Sequence, residues 1–286
     1  MPSTPAKRPQ KSTRKTPSKA AAKVAATATS KKSGAAKRSR TSDPAPKAIA
    51  AAKPTPSKRS SAKASQRTYR TAPIKLPAAA LPHLRKSHPH MDRVIDRVGP
   101  CTLSIGHSEG PFVSLVRAIV FQQLATKAAS TIFGRLRDLF PGDGVPDPAT
   151  LLGISDAALR GCGLSGQKLG YVRDLATRVD RGELDLDALE SLSDEDVIKQ
   201  LTTVRGIGRW SAQMFLIFYL GRLNVWPDGD LGIRHGVRIL HGHSELPAPT
   251  LMQSVGERFS PYASVASWYL WRLLDIPEAD RIVLLT

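Results

Sequence analysis

The chain has 286 residues and a net charge of +18, and this charge is concentrated at one end. Residues 1–70 contain 19 of the 42 Lys and Arg residues and one acidic residue, Asp43, whereas the rest of the chain balances 23 basic against 23 acidic residues. The two cysteines, Cys101 and Cys162, are too few for an iron–sulfur cluster or a four-cysteine zinc site built from this chain. No apolar run reaches about 18 residues and no secretory h-region is found, which predicts a protein without membrane contact.

Residues 1–73 are rich in Lys, Arg, Ala, Ser, Thr and Pro, and Tyr69 is their only aromatic residue. Such a composition cannot bury enough apolar surface to offset chain entropy, so we expect a disordered tail. Its charge suits the phosphate backbone of nucleic acids, although a localisation or solubility segment would have the same composition. Residues 31–40 fit a nuclear import signal, with a mitochondrial transit peptide as the lesser alternative. We expect a nuclear location in a eukaryote and a cytoplasmic or nucleoid location in a bacterium.

Residues 74–286 show helical periodicity almost throughout, and no run alternates as strand residues do. Apolar residues at every third or fourth position from Val113 to Leu124 predict one helix, and Trp210–Leu220 is apolar enough to be the central helix. The sequence therefore predicts an all-α domain, arranged as one large unit or as two small lobes that share a cleft. Start and stop signals predict further helices at residues 128–139, 155–160, 165–181, 193–201, 230–240, 249–259 and 261–274.

Residues 204–212 read Val-Arg-Gly-Ile-Gly-Arg-Trp-Ser-Ala and lie between two predicted helices. The two glycines allow a tight turn and the close approach of another backbone. The N–H groups at the start of the following helix form an anion site that could hold a DNA phosphate, and turn carbonyls within residues 204–209 could hold a monovalent cation. An ordinary turn between two helices is the alternative. The residues predicted to contact DNA here are Val204, Gly206, Ile207, Gly208 and Arg209.

This segment, Leu201–Ala212, is followed by Pro-Asp-Gly-Asp-Leu-Gly-Ile-Arg at residues 227–234. Together the two segments resemble the helix–hairpin–helix, Gly/Pro-Asp superfamily of DNA glycosylases, and within it the 3-methyladenine DNA glycosylase II branch. The resemblance covers about residues 85–275 and includes Phe121–Ala125, Cys162–Lys168 and Ser267–Arg272. It implies a two-lobed helical fold that binds double-stranded DNA containing a damaged base, flips that base out and cuts its N-glycosidic bond.

Asp230 is the residue to which the resemblance gives the central chemical role. It begins a predicted helix, and Asp is a common N-cap, which is the purely structural alternative. A helix N-terminus stabilises a carboxylate in its charged form, which is the form that can stabilise an oxocarbenium-like sugar and orient the attacking water. Asp228, two residues earlier, is the alternative assignment.

Four side chains are predicted to line the pocket for the flipped base: Trp210, Met214, Trp268 and Trp271. Bifunctional members of the superfamily carry a lysine nucleophile at the position of Trp210, so the resemblance implies hydrolysis without strand cutting. Alkylated purines are electron-poor and stack well on aromatic rings. Core packing is the alternative for each tryptophan. Met214 stands where some members of the family have an aromatic residue, which predicts a less selective pocket or a different lesion.

The segment Gln122-Gln123-Leu124 resembles the one that fills the gap left by the extruded nucleotide. Leu124 is the candidate wedge between base steps, because an inserted apolar side chain offsets part of the cost of flipping. A place on the apolar stripe of its helix is the alternative. Gln123 could contact the opposite strand. Ser165 resembles a second phosphate contact at a loop-to-helix junction, with a simple N-cap as the alternative.

The sequence therefore predicts a monofunctional DNA glycosylase that removes alkylated purines such as 3-methyladenine and leaves an abasic site. We expect it to act as a monomer, with no redox cofactor and no catalytic metal. One alternative is a glycosylase of the same superfamily that acts on deaminated or mismatched bases. The other is a non-catalytic DNA-binding protein, although packaging DNA would not require Asp230 or paired aromatic residues.

Overall fold

The computed structural model describes residues 72–106 and 109–285, so the predicted disordered tail lies almost wholly outside the described residues. Helices account for most of what is described, which confirms the all-α prediction. The α-helices in chain order are α1 (Ala80–Ser87), α2 (Met91–Val98), α3 (Pro111–Phe121), α4 (Thr126–Arg137), α5 (Pro148–Gly153), α6 (Asp156–Gly161), α7 (Gly166–Asp180), α8 (Asp194–Thr202), α9 (Arg209–Phe218), α10 (Leu231–Leu240), α11 (Pro249–Phe259), α12 (Ala263–Asp275) and α13 (Glu278–Leu285). A 3₁₀ helix covers Ala188–Ser191.

The helices divide into two lobes. In one lobe, α3 packs against α4, α7 and α9, α5 and α6 pack against α7, and α8 packs against α9. In the other, α12 packs against α2, α10 and α11, while α1 contacts α2 and α11. The chain passes from the second lobe to the first between α2 and α3, and returns between α9 and α10. This arrangement agrees with the two-lobed fold that the resemblance implied.

Serine start signals identified helix boundaries well. Ser155, Ser165 and Ser193 each precede a helix, and each side-chain oxygen accepts the N–H of the residue three positions later. The bond satisfies one of the N–H groups that a helix leaves without an internal partner. The predicted and observed starts of these three helices therefore agree to within one residue.

A two-stranded sheet contradicts the expectation that strands are absent. Strand β1 (Ala72–Pro73) pairs antiparallel with β2 (Ser104–Ile105). The pairing continues through the N–H of Ile74, which donates to the carbonyl of Leu103 at 2.8 Å. Two residues are too short a run to show the alternation by which strands are detected.

Helix α9 is the central helix of its lobe, as its apolar sequence predicted. Ala212, Leu216 and Ile217 are completely buried within it. The helix begins at Arg209, directly after Gly208 of the hairpin, and ends at Phe218. Helix α9 also contacts strand β2. Among the described residues, no helix has the length and apolar character that crossing a membrane requires.

Candidate active site and DNA-binding surface

Asp230 lies at the N-cap of α10, and hydrogen-bond donors hold both of its carboxylate oxygens. Its Oδ1 accepts the backbone N–H of Ile233 at 2.8 Å and the indole N–H of Trp271 at 3.0 Å. Its Oδ2 accepts the indole N–H of Trp210 at 2.6 Å. The structural and chemical interpretations of this residue are thus compatible: Asp230 caps a helix and still presents a partly exposed, oriented carboxylate.

Two glycines of α10 bring Trp271 to this carboxylate. A Cβ atom on Gly236 would lie 2.9 Å from the Cβ of Leu270, so only glycine lets α10 and α12 cross this closely. A Cβ on Gly232 would lie 3.0 Å from Cδ1 of Trp271. The Trp271 ring in turn stacks on Phe218, with ring centroids 5.7 Å apart. Helices α9, α10 and α12 therefore converge on one aromatic and acidic cluster.

Trp210 and Trp268 have different surroundings. Trp210 occupies the first turn of α9 and is 48% exposed, although its indole is hydrogen-bonded to Asp230. Trp268 is only 9% exposed and packs edge-on against Tyr269 in the core of the other lobe. The assignment of Trp268 to the base pocket is corrected here: Trp271, one turn later on α12, faces Asp230 instead.

Two adjoining cavities run between α3 and α9. The larger, of about 830 Å³, includes Leu124, Ser165, Gly206 and Trp210 in its wall. The smaller, of about 440 Å³, lies between Ser114 and Arg117 on α3 and Phe218 on α9. Both cavities share the residues Ala118, Ser211 and Met214. These three residues thus lie where the two meet, and we name the larger one the outer groove and the smaller one the inner cavity.

Three further residues at the site were missed from sequence. Phe218 lies two turns beyond Trp210 on the same face of α9, so helical spacing could have revealed it. Arg117 lines the inner cavity with its guanidinium 4.2 Å from the centre of the Phe121 ring, and an arginine in an apolar helix was the available signal. Leu231 directly follows Asp230 and is 58% exposed. An exposed leucine beside the carboxylate adds apolar surface next to Asp230, and nothing in the sequence marked it.

The glycine hairpin between α8 and α9 is held in place by the ring of Tyr171, which packs against Gly206. Gly206 has φ +84°, and a Cβ atom there would lie 2.1 Å from the ring of Tyr171, so the position accepts only glycine. Val204 and Ile207 are buried, which leaves only their backbone to contact a ligand. Gly208 is the N-cap of α9, and the first N–H groups of that helix have no partner within it. This geometry suits an anion.

The two arginines of the hairpin are both paired with acids. Arg209 makes two bonds to Glu195, at 3.0 and 2.5 Å, and this pairing lowers the pKa of the glutamate. Arg205 donates its backbone N–H to Asp174 at 2.9 Å, and its side-chain Nε lies 3.6 Å from the same carboxylate. The positive charge of Arg209, a predicted DNA contact, is therefore balanced by Glu195. We expect the hairpin to attract a phosphate through its backbone N–H groups more than through net charge.

The segment after α3 departs from the helix that apolar spacing predicted. Helix α3 ends at Phe121, and Gln123 adopts φ +55°, which turns the chain. Leu124 therefore lies outside the helix and is 40% exposed, so its alternative as a core residue is wrong. Gln122 is bound to the hairpin, since its side-chain amide donates to the carbonyl of Gly206 at 2.8 Å. We name residues 122–124 the wedge turn.

The segment around Ser165 meets the predicted loop-to-helix geometry. Ser165 caps α7 through the N–H of Lys168, and both residues line the outer groove. Gly163 has φ +103° and packs against Ile132. The Lys168 side chain donates to two backbone carbonyls of the α3 end instead of pointing into solvent. The outer groove thus has the wedge turn, the hairpin and the α7 N-terminus along its edges.

Two DNA-3-methyladenine glycosylases of known sequence are similar to this chain. DNA-3-methyladenine glycosylase 1 of Schizosaccharomyces pombe is 36% identical over 174 residues, which cover 60% of this chain and 76% of that protein. A putative DNA-3-methyladenine glycosylase of Bacillus subtilis is 32% identical over 201 residues, covering 65% of this chain and 70% of that protein.

Two solved structures of 3-methyladenine glycosylases are similar to this chain in fold. The S. pombe 3-methyladenine DNA glycosylase, solved in complex with abasic DNA, matches with a TM-score of 0.62 and 33% identity over 69% of this chain and 97% of that one. DNA-3-methyladenine glycosidase from Bacillus halodurans matches with a TM-score of 0.63 and 37% identity over 71% and 91% of the two chains. Residues 116–261 match the family model for HhH-GPD superfamily base excision DNA repair proteins. The chain therefore belongs to the HhH-GPD superfamily of base excision DNA repair proteins.

Proposed function

We propose that the protein is a monofunctional DNA glycosylase that removes alkylated purines, 3-methyladenine among them, and leaves an abasic site. The observation that carries the proposal is the Asp230 carboxylate, oriented by two indoles and a helix N-terminus beside cavities that an extruded nucleotide could enter. The names of the similar proteins, 3-methyladenine glycosylases from yeast and bacteria, support the same substrate class.

In this mechanism the C1′–N bond breaks and its electron pair leaves with the base. The sugar gains positive charge, which the Asp230 carboxylate stabilises because opposite charges attract and because its hydrogen-bond donors already hold the carboxylate in place. A water molecule then bonds to C1′ through an oxygen lone pair and passes one proton to bulk solvent, which leaves a hydroxyl at C1′ while the alkylated base departs as a neutral molecule. Each carboxylate oxygen offers about two acceptor positions, so Asp230 can orient this water while keeping its indole partners.

We further propose that the enzyme lacks lyase activity. The superfamily position associated with a lysine nucleophile holds Trp210, whose indole nitrogen donates to Asp230 and offers no lone pair for attack on C1′. No Schiff base would form, and the strand would stay intact. We also propose that the protein acts as a monomer on double-stranded DNA, in the nucleus of a eukaryote or in the cytoplasm or nucleoid of a bacterium.

The test is release of methylated bases from alkylated duplex DNA by the full-length protein and by Asp230→Asn. We expect base release by the wild type and a rate lower by at least about a hundredfold in the variant, as for the loss of one electrostatic stabiliser. Asp228→Asn is the matched control, because the side chain of this exposed neighbour accepts the N–H of Gly229 and does not bond to the indoles that hold Asp230. If Asp230→Asn also lost DNA binding, weaker affinity would explain the slower base release. That result would contradict a role for Asp230 in the chemical step.

The rival substrate classes are separated in the same assay. A panel of duplexes with methylated, deaminated or mismatched bases distinguishes alkylbase removal from action on other lesions. Strand cutting without added base or heat would contradict the monofunctional assignment. A protein that binds all these duplexes and releases no base would be a non-catalytic DNA-binding protein.

A further inference from the structure

Lys168 holds the end of helix α3. Its ammonium lies 2.7 Å from the carbonyl oxygen of Val120 and 2.6 Å from that of Gln122. Burial lowers the pKa of this lysine, and no carboxylate among the described residues forms an ion pair with it. A partly buried cation of this kind requires strong acceptors, and the last carbonyls of a helix supply them together with the negative end of the helix dipole.

The wedge turn needs such support because its backbone is unfavourable. Gln123 has φ +55°, a conformation that non-glycine residues adopt uncommonly and that surrounding contacts must stabilise. The carbonyl that precedes this residue belongs to Gln122, and it is one of the two that Lys168 binds. Lys168 therefore acts on the peptide at which the chain leaves α3 and turns towards Leu124.

The same lysine connects the wedge turn to the predicted phosphate contacts. Its backbone N–H donates to Ser165 at the start of α7. One turn later on α7, Tyr171 packs on Gly206, and the carbonyl of Gly206 accepts the side-chain amide of Gln122. The wedge turn, the hairpin and the α7 N-terminus thus form a closed set of contacts.

We propose that Lys168 is a positioning residue that presets the wedge turn, so that Leu124 is held ready to enter the duplex when the hairpin and the α7 N-terminus grip the backbone. The inference rests on the proposed function. It assigns to Lys168 a role in opening the duplex and none in breaking the N-glycosidic bond. The lysine acts through the backbone of residues 120–122 and does not touch the substrate.

The experiment compares full-length wild type, Lys168→Met and Lys168→Arg on the same alkylated purine in two settings. In the first the lesion is paired within a duplex, and in the second it lies in a single strand. Because flipping costs a few kcal/mol only when the base is stacked and paired, we expect Lys168→Met to slow single-turnover release about tenfold or more from duplex and less than about threefold from single strand. Lys168→Arg keeps a cation that can donate to both carbonyls and should restore most of the duplex rate.

Lys199→Met is the matched control, since the side chain of this lysine on α8 is 74% exposed and forms an ion pair with Asp196 on its own helix. Thermal unfolding of each variant distinguishes a folding defect from a loss of positioning. A folding defect would lower the rates on duplex and on single strand equally. Equal losses on duplex and single strand, or an unchanged duplex rate, would overturn the proposal.

A second readout keeps the inference separate from the proposed function. The fluorescence of 2-aminopurine placed as the target base rises when the base leaves the stack, whether or not any bond is broken. If the wild type raised this fluorescence but released no alkylated base, the proposed function would fail while the role of Lys168 could still be measured. We expect Lys168→Met to reduce the fluorescence change at saturating protein, and an unreduced change would count against the positioning role.

Discussion

The indole N–H of Trp210 donates to Oδ2 of Asp230 at 2.6 Å, while 48% of the tryptophan side chain stays exposed. Trp210 thus has two roles: its nitrogen orients the carboxylate, and its ring forms part of the outer groove. Trp271 binds the other carboxylate oxygen in the same manner from the opposite lobe. The two tryptophans hold Asp230 in a fixed plane, and a substitution that keeps an aromatic ring but removes the indole nitrogen can separate these contributions.

Trp210→Phe is expected to slow base release while leaving DNA affinity nearly unchanged. A hydrogen bond to a charged group contributes about 1.5–3 kcal/mol, so we expect a loss of about tenfold to a hundredfold in the single-turnover rate. Trp271→Phe should have a similar effect through Oδ1. Full activity in both variants would show that the indole nitrogens do not orient Asp230.

Gly206→Ala is expected to destabilise the protein, because a Cβ atom would meet the Tyr171 ring at 2.1 Å and the residue has φ +84°. We expect a loss of at least about 2 kcal/mol in the free energy of unfolding, measured by denaturant titration. Gly208→Ala is the matched control, since nothing lies within 4 Å of a Cβ there. It should change stability by only a few tenths of a kcal/mol, yet weaken DNA binding if a phosphate approaches that backbone closely.

Glu195→Gln is expected to strengthen DNA binding. The substitution removes the negative partner of Arg209 and frees a guanidinium at the hairpin. One more cation available to phosphate should steepen the plot of log affinity against log salt by about one unit. Asp196→Asn makes the same change in charge on the same helix but frees Lys199 instead of Arg209. Titrations over a range of salt should show a larger effect for Glu195→Gln, and equal slopes would contradict a hairpin contact by Arg209.

Deletion of residues 1–70 is expected to flatten the salt dependence of non-specific DNA binding. These residues carry the whole net charge, while the hairpin arginines are neutralised by acids. Single-turnover base release at saturating protein should be largely unchanged, because the groups that hold the Asp230 carboxylate belong to Trp210, Ile233 and Trp271. An unchanged salt slope would exclude the tail as a DNA-binding arm.

Acid is expected to destabilise the protein through His88, which is 9% exposed. Burial, together with the nearby charges of His241, His90 and Arg258, lowers the pKa of His88 to about 4. The unfolded chain takes up this proton near pH 6.5 and the folded chain does not, so stability is lost as pH falls from about 6.5 to about 4, by up to about 3 kcal/mol.

Urea unfolding at several pH values measures this dependence. His88→Gln should flatten it in that window. His243→Gln removes an exposed histidine that helps to lower the pKa of His241, so it should change the dependence less than His88→Gln does. A wild-type stability that does not change between pH 6.5 and 4 would contradict the assignment to His88.

Sequence reasoning located the residues that carry strong local signals. A serine or aspartate before an apolar periodic run marks an N-cap, which is why Asp230 and Ser165 were placed correctly at helix starts. Spacing alone misled at Leu124, because an apolar pattern can continue after the backbone has left the helix, and the positive φ of Gln123 is not encoded in that pattern.

Other features depend on long-range packing. Trp268 and Trp271 lie one turn apart on the same helix, and only the crossing of α10 and α12 decides which of them faces Asp230. The side chain of Lys168 could equally have pointed to a phosphate, and its carbonyl partners belong to a helix 46 and 48 residues away in sequence. The short helices α1, α2, α5 and α13 have six to eight residues each, too few for a reliable periodic signal.

Gly236 has no side chain, yet the close crossing of α10 and α12 that it allows determines where Trp271 meets Asp230. Widening that crossing by one methyl group would push Leu270 outwards and move the neighbouring indole away from the acid it steadies. Efforts to alter which lesions the enzyme accepts should therefore redesign the walls at Met214 and Arg117 and leave this helix pair untouched. Tolerance to change at the site is thus greatest where the base would fit and least where two backbones touch.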